Sequence, residues 1–162
     1  MSVTPRQAAP HEPATRVLRQ FRQVFNAVKS HFQQVEKQAG IGGAQLWALS
    51  VIAAHPDIGV SALAEAMDVH QTTASNLVKA LVQAKLVEVE RRGSDRRAVQ
   101  LRVTELGRSL LDEAPGPFTG VLPEALNQMD PATLARLELD LTQLLTVLHA
   151  DKKSARIPLA DI

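Results

Sequence analysis

The sequence predicts a mainly α-helical fold with one small β-hairpin, and three observations support this expectation. Apolar residues recur at spacings of three and four over most of the chain. One short stretch, residues 86–103, instead alternates apolar and polar residues around a polar tip. The length of 162 residues suits one domain with helical extensions and is too short for a two-domain enzyme.

A long first helix is predicted from Thr15 to the residue before Gly40, because its apolar positions follow helical spacing. Residues 1–14 contain three prolines and almost no large apolar side chains, so we expect a disordered arm there. A second, mostly buried helix is predicted over 45–54, between a glycine break and a proline.

Two further helices follow in close succession. Ser61 is a good N-cap for a short helix through Met67. A tight connection over 68–70 leads straight into another helix over 71–84. The period then changes, and residues 86–103 read as the two strands of a hairpin. A helix-turn-helix followed by a β-ribbon is a winged helix, which can place one helix in a DNA major groove and its wing along the backbone.

The C-terminal third is predicted to be helical again. Thr104 can cap a helix that ends before Pro115. Asp130 and Pro131 provide an N-cap and a first-turn proline for a last helix that carries a wide leucine stripe. We expect residues 151–162 to form a flexible tail. The predicted winged helix, residues 41–103, is thus flanked by helical segments at 15–40 and 104–150.

The outward face of the helix over 71–84 is polar and has no carboxylate. At about 100° per residue, its apolar residues gather on the opposite side. Asn and Gln suit adenine edges, Ser and Thr suit phosphates or bases, and Lys suits guanine or phosphate. The candidate DNA-contacting residues of this helix are Gln71, Thr72, Thr73, Ser75, Asn76 and Lys79.

The tip of the predicted hairpin is rich in arginine. An arginine at the tip of a β-ribbon can enter a minor groove, and Asp95 suits DNA contact if it holds a neighbouring guanidinium in a bidentate pair. The plainer alternative is that the hairpin and the polar helix face are solvated surface. The wing candidates are Arg91, Asp95, Arg96 and Arg97.

The formal net charge of +1 argues against a nucleic-acid binder at first sight. The charge is unevenly distributed, however: residues 70–102 carry a net +4 and residues 103–150 a net −5. Such asymmetry is expected if one part of the molecule meets phosphate and another does not. Segments this short also allow the alternative that surface charge simply fluctuates along the chain.

Several functional classes are excluded by composition. The chain has no cysteine, which removes thiol catalysis, thiol redox sensing and cysteine-ligated metals. The histidines lack metal-ligand spacing, and no catalytic triad or phosphate-binding glycine loop stands out, so we expect neither an enzyme nor a bound cofactor. Without a long apolar run or a secretory signal, we expect a cytoplasmic protein that does not bind membranes.

The sequence resembles the MarR family of bacterial transcriptional regulators. The most specific part is the wing, Asp95-Arg96-Arg97, followed by a Leu-x-Val-Thr-x-x-Gly junction. The resemblance implies that Arg97 contacts the minor groove with support from Asp95, that residues 71–84 form the recognition helix, and that the protein is an obligate homodimer. The segments that carry it are VSALAEAM at 60–67, QTTASNLVKAL at 71–81, KLVEVER at 85–91, SDRR at 94–97 and LRVTELG at 101–107.

Dimerisation is also favoured by the first and last helices themselves, whose apolar stripes are wider than a two-helix seam needs. The alternative is that these helices cover the winged helix within one chain. A two-fold dimer would read a pseudo-palindrome, with half-sites about 34–36 Å apart. The family's helix is often continuous where this chain has Pro115-Gly-Pro117, so the path of the chain there stays open. The candidate interface residues are Val17, Phe21, Leu137, Leu141, Leu144 and Leu148.

The resemblance also implies regulation by a small, often aromatic or phenolic anion bound between the dimer arm and the winged helix. The alternative is that Phe25 and Trp47 belong to the core and that His31 and His55 are partly exposed polar residues. The candidate ligand residues are Phe25, His31, Trp47 and His55.

The sequence therefore predicts a DNA-binding transcriptional regulator, most simply a repressor, that binds double-stranded DNA as a homodimer and is released by a ligand. The alternative is a winged-helix interaction module that does not bind DNA.

Overall fold

The computed structural model of the chain describes residues 12–91, 93 and 99–162. These residues form seven α-helices, a two-stranded antiparallel sheet and two 3-10 turns, which confirms the predicted mainly helical fold with a small β-wing. The helices are α1 (Glu12–Ala39), α2 (Gly43–Ala54), α3 (Val60–Met67), α4 (Gln71–Gln83), α5 (Glu105–Glu113), α6 (Val121–Asn127) and α7 (Pro131–Val147). The strands are β1 (Val87–Arg91) and β2 (Val99–Val103), and the 3-10 turns are Lys152–Arg156 and Leu159–Asp161.

The core lies within the predicted winged helix. Side chains from α2, α3, α4 and both strands form one cluster of buried residues. Its fully buried members include Leu49, Ile52, Leu63, Leu81 and Leu101. Full burial of such a side chain contributes about 1.5–3 kcal/mol, so this cluster fixes α3 and α4 against α2 and the sheet.

The wing is an antiparallel hairpin whose register runs from Val87 opposite Val103 to Arg91 opposite Val99. Ile58, in the connection between α2 and α3, forms an additional bridge to Leu101 of β2. The base of the wing is therefore paired on both sides of β2.

Two predicted helix caps are confirmed and one is wrong. The Thr104 side chain accepts a hydrogen bond from the Gly107 amide, and Asp130 accepts one from the Thr133 amide. Ser61 is not the cap of α3, because that helix begins at Val60, two residues earlier than a cap at Ser61 would give, and Ser61 lies in its first turn. Its N-cap is Gly59, whose extended backbone (φ −86°, ψ 167°) leads directly into the first turn.

Both ends of the described chain differ from the prediction. Helix α1 begins at Glu12 rather than Thr15, because Pro13 is tolerated in a first helical turn. The rest of the predicted disordered arm, residues 1–11, lies outside the described residues. The C-terminal tail (residues 151–162), which we expected to be flexible, instead forms the two 3-10 turns and buries Pro158.

The predicted break at Pro115 is present, since α5 ends at Glu113 and α6 begins at Val121. Helix α6 packs on α1. Helix α7 has no buried residue and, among the described elements, packs extensively on none. Of the helices in the described part of the chain, none is long and apolar enough to cross a membrane.

Candidate nucleic-acid interface

Helix α4 presents a polar face to solvent. The four residues that the sequence places on its apolar side, Ala74, Leu77, Val78 and Leu81, are its buried residues. The opposite side offers amides, hydroxyls and the Lys79 ammonium. Among the predicted contact residues, Gln71, Thr72, Asn76 and Lys79 are exposed, and Thr73 and Ser75 are half-buried. The residues predicted to contact DNA thus lie on the side of α4 opposite its buried residues.

The N-terminal end of α4 is favourable for an anion. His70 is the N-cap residue but makes no side-chain cap hydrogen bond, and the first turn of α4 contains no acidic residue. The first amide N–H groups of a helix lack intrahelical partners and carry the positive end of the helix dipole. Negative charge is therefore stabilised where α4 begins.

Thr104, which follows β2, binds the segment between α4 and β1. Its hydroxyl donates to the Lys85 carbonyl oxygen (2.7 Å), and its amide donates to the Leu86 carbonyl oxygen (3.0 Å). Gly107 packs so closely against the Leu86 carbonyl that a Cβ atom there would overlap with it. These contacts fix the direction in which β2 and α5 leave the helix-turn-helix.

The strands of the wing are tied to the body by Arg102, a residue whose role the sequence reasoning missed. Its Nε donates to Oδ1 of Asp57 at 2.6 Å and its Nη1 to Oε1 of Glu90 at 3.4 Å. The hydrogen bond and charge of Asp57, with a smaller effect of Glu90, raise the pKa of the Arg102 guanidinium above its usual value. The signal in the sequence was an arginine in β2 that pairs across the hairpin with Glu88.

Of the predicted wing residues, the structure describes Arg91, which is exposed at the end of β1. Asp95, Arg96 and Arg97 lie outside the described residues. Their contact with DNA stays a prediction.

The four candidate ligand residues do not share one cavity among the described residues. Trp47 and Phe32 line a cavity of about 220 Å³, whereas Phe25 lines a groove along α1. Phe25 is 64% exposed, so the alternative that it belongs to the core is wrong for the single chain. His31 is buried beside Phe32 rather than partly exposed, with ring centroids 5.3 Å apart. His55 is exposed at the end of α2, where Nδ1 lies 3.1 Å from the Val51 carbonyl oxygen.

The described residues contain no group of three or more His, Cys, Asp or Glu side chains placed to hold a metal ion. The surface that stands out is instead the polar face of α4 beside the hairpin. A buried helix-turn-helix core, a second helix with an outward face free of carboxylates and an antiparallel two-stranded wing define the winged-helix class.

Comparison with known proteins shows which winged-helix family this chain resembles. Residues 39–98 match the family model described as MarR family. The match covers α2, α3, α4 and β1, so the resemblance to the MarR family seen in the sequence is confirmed over this part of the chain. A comparison with curated proteins gives no match.

Solved structures share the fold over most of the chain. A MepR-like protein complexed with pseudoligands has a TM-score of 0.59 at 16% identity, over 85% of this chain and 97% of its own. The transcriptional regulator SlyA has a TM-score of 0.53 at 19% identity, over 82% of this chain and 93% of the SlyA chain. FabT of Streptococcus pneumoniae, in complex with DNA, has a TM-score of 0.52 at 20% identity, over 83% of this chain and 96% of the FabT chain. At 16–20% identity, these structures show a shared fold.

Proposed function

We propose that this protein is a transcriptional regulator, acting as a repressor, that binds a pseudo-palindromic site on double-stranded DNA as a homodimer and is released by a small ligand. The observation that carries the proposal is the exposed face of α4, which combines Asn76, Lys79 and hydroxyl groups without any carboxylate. A carboxylate on this face would be repelled by phosphate. Amide and hydroxyl groups can instead read base edges in a major groove.

The charge of the wing supports a DNA-binding surface that includes the wing as well as α4. Residues 70–102 carry a net charge of +4, and Arg91 is exposed at the end of β1. We infer that Arg97, supported by Asp95, reaches the minor groove and that Arg96 contacts the backbone nearby. FabT, which shares the fold, has been solved in complex with DNA.

Dimerisation is supported by the exposure of apolar side chains on both terminal helices. Val17 is 49% exposed on α1, and Leu148 is 63% exposed at the end of α7. Exposed apolar side chains are typical of an interface between chains, above all on α7, which packs extensively on no other described element. In this proposal the helices at 15–40 and 104–150 form the dimer arm and residues 41–103 form the DNA-binding domain. The proposed interface comprises Val17, Phe21, Leu137, Leu141, Leu144 and Leu148.

A ligand site is supported by the groove along α1, with a volume of about 550 Å³. Phe25 and Phe32 offer aromatic faces there, Lys29 offers a cation, and Glu36 adds one carboxylate to the lining. The aromatic faces and the cation suit a small aromatic or phenolic anion. This groove lies between α1 and the C-terminal tail, whose last 3-10 turn also contacts α2. In this proposal, a ligand held there shifts α1 against the winged helix, changes the spacing of two recognition helices and so weakens DNA binding.

Binding to duplex DNA as a function of salt tests the proposal. Lys79→Ala should weaken binding, and Arg97→Ala should weaken it and also reduce the slope of log affinity against log salt by about 0.9 for each phosphate that the variant no longer binds. Lys37→Ala, which removes one exposed charge from the end of α1, is the matched control and should bind as wild type does. If the wild-type protein dimerises but binds no duplex, it is an interaction module instead.

A further inference from the structure

We propose that the C-terminal tail forms a second DNA-backbone contact, in which Lys152 and Lys153 bind phosphates beside the N-terminal end of α4. The inference rests on the proposed function, in which α4 enters a major groove. Neither lysine belongs to the recognition helix or the wing. The surface formed by Lys152 and Lys153 thus binds the phosphate backbone of duplex DNA.

The tail is tethered to the connection that leads into α4. His70 Nε2 lies 3.2 Å from the Lys153 carbonyl oxygen, which can only accept, so the ring donates this hydrogen bond. Arg156 Nε lies 3.8 Å from Oδ1 of Asp68. Both partners belong to residues 68–70, directly before α4. The backbone of Lys153 is thus held within hydrogen-bonding distance of the residue that precedes the recognition helix.

The turn that carries the lysines is itself well defined. Asp151 accepts a hydrogen bond from the Lys153 amide at 2.9 Å, and its carbonyl oxygen accepts one from the Ser154 hydroxyl at 2.6 Å. These bonds close the 3-10 turn over 152–156. The two lysines therefore project from a fixed turn rather than from an extended terminus.

An apolar anchor follows the turn. Pro158 is buried, and Ile157 and Leu159 line the cavity that Phe32 and Trp47 also line. Burial of Pro158 and the packing of the Leu159–Asp161 turn on α1 and α2 hold the tail more firmly than the two exposed polar contacts could, because surface ion pairs contribute little. The tail is thus fixed at both ends, at the connection before α4 and in this cavity.

The charge of the turn is available to a ligand. Lys152 and Lys153 are exposed and form no ion pair with a described residue, whereas the charge of Arg156 is partly compensated by Asp68. A recognition helix uses its N-terminal residues for base contacts, and phosphates line both edges of a major groove that is about 12 Å wide. Two lysines beside that end of α4 therefore lie where backbone phosphates pass.

Phosphate contacts carry no sequence information, so this surface should raise affinity without changing sequence preference. The substitution Lys152→Ala with Lys153→Ala tests it, because Lys153 binds His70 through its backbone carbonyl and alanine keeps that bond. Lys152→Arg with Lys153→Arg retains the charge. Arg22→Ala with Lys37→Ala removes the same charge from exposed positions on α1.

Affinities of the wild-type protein and these three variants, all full-length, are measured for one selected duplex and one random duplex over a range of salt concentrations. The alanine pair on the tail should reduce the salt slope by about 0.9 for each phosphate released and lower affinity about ten-fold at low salt, with the preference for the selected duplex unchanged. The arginine pair and the α1 pair should behave as wild type. Unchanged thermal unfolding of the alanine pair establishes that its fold is intact.

An unchanged slope for the tail pair would overturn the inference and leave the proposed function standing. An equal decrease in affinity for the α1 pair would also overturn it, because the effect would then be one of net charge. If the wild-type protein binds neither duplex, the proposed function itself fails.

Discussion

Arg102 and Asp57 are 45 residues apart in sequence and joined by a 2.6 Å hydrogen bond between Nε and Oδ1. Asp57 adopts a left-handed backbone conformation (φ 68°), which aspartate tolerates better than most residues. The bond connects β2 to the turn between α2 and α3, next to the bridge between Ile58 and Leu101. The position of the wing relative to the helix-turn-helix therefore depends on a contact between β2 and a residue that lies outside both units.

Removal of this hydrogen bond should loosen the wing. Arg102→Ala should increase amide hydrogen exchange in β1 and β2 and weaken duplex binding, because the wing is no longer held beside α4. Asp57→Asn keeps a residue that tolerates the left-handed conformation and removes the charge. If the two changes act through one interaction, the double variant should bind duplex DNA as tightly as the single variant with the lower affinity. Fully additive losses of affinity would show that the two residues act independently.

Gly107→Ala should destabilise the protein, although alanine usually favours a helix. A Cβ atom at this position would overlap with the Leu86 carbonyl oxygen, which already accepts the Thr104 amide. We expect a decrease of about 1–3 kcal/mol in the free energy of unfolding, measured by urea denaturation. Gly116→Ala is the control, since nothing lies within 4 Å of a Cβ atom there. Equal stability of both variants would show that the junction has room to adjust.

Helix α7 allows a direct test of dimerisation. Leu144 and Leu148 lie on its predicted interface stripe, and Leu139, 67% exposed, lies on the opposite side at about 100° per residue. An unpaired carboxylate in an apolar interface costs roughly 2 kcal/mol or more. Leu144→Glu with Leu148→Glu should therefore sediment as a monomer, whereas Leu139→Glu should stay dimeric. A wild-type protein that is monomeric at micromolar concentration would contradict the two-fold arrangement.

The cap of α7 should make this helix sensitive to acid. Hydrogen bonds from the Thr133 hydroxyl and then its amide lower the pKa of Asp130. Because the pKa of Asp130 is lower in the folded state, its carboxylate stabilises α7 fully at pH values above the unfolded-state pKa of about 3.9. This stabilisation is lost as the pH falls through the folded-state pKa.

Amide exchange in the first turn of α7, followed from neutral to acidic pH, measures this effect. Protection should fall on acidification in the wild type. Asp130→Asn keeps a capping side chain that does not titrate, so its protection should change less over the same range, while Asp130→Ala should have low protection throughout. A wild-type profile as flat as that of the asparagine variant would exclude the carboxylate as the source.

The parts of this fold that were predictable from sequence are those fixed by local periodicity. The buried side of α4 follows from spacing alone, and the caps at Thr104 and Asp130 follow from residues at most three positions apart. These features need no knowledge of distant parts of the chain.

The parts that were not predictable depend on contacts between distant residues. The hydrogen bond from His70 to the Lys153 carbonyl spans 83 positions, and the anchor at Pro158 has no periodic signal because 3-10 turns are short and irregular. The tail was therefore expected to be flexible. Phe25 and Trp47 were assigned to one ligand site because both are aromatic, not because sequence indicates that they are close. In the fold they line two different cavities.

Selection of bound duplexes from a random pool by the full-length protein tests the central claim most directly. The account predicts enrichment of a two-fold pseudo-palindrome, with half-site centres about 10–10.5 base pairs or a multiple apart. Asn76→Ala should bind the same pool with a relaxed preference at one position of each half-site. A pool that stays random after selection by the wild-type protein would contradict the assignment of α4 as the recognition helix.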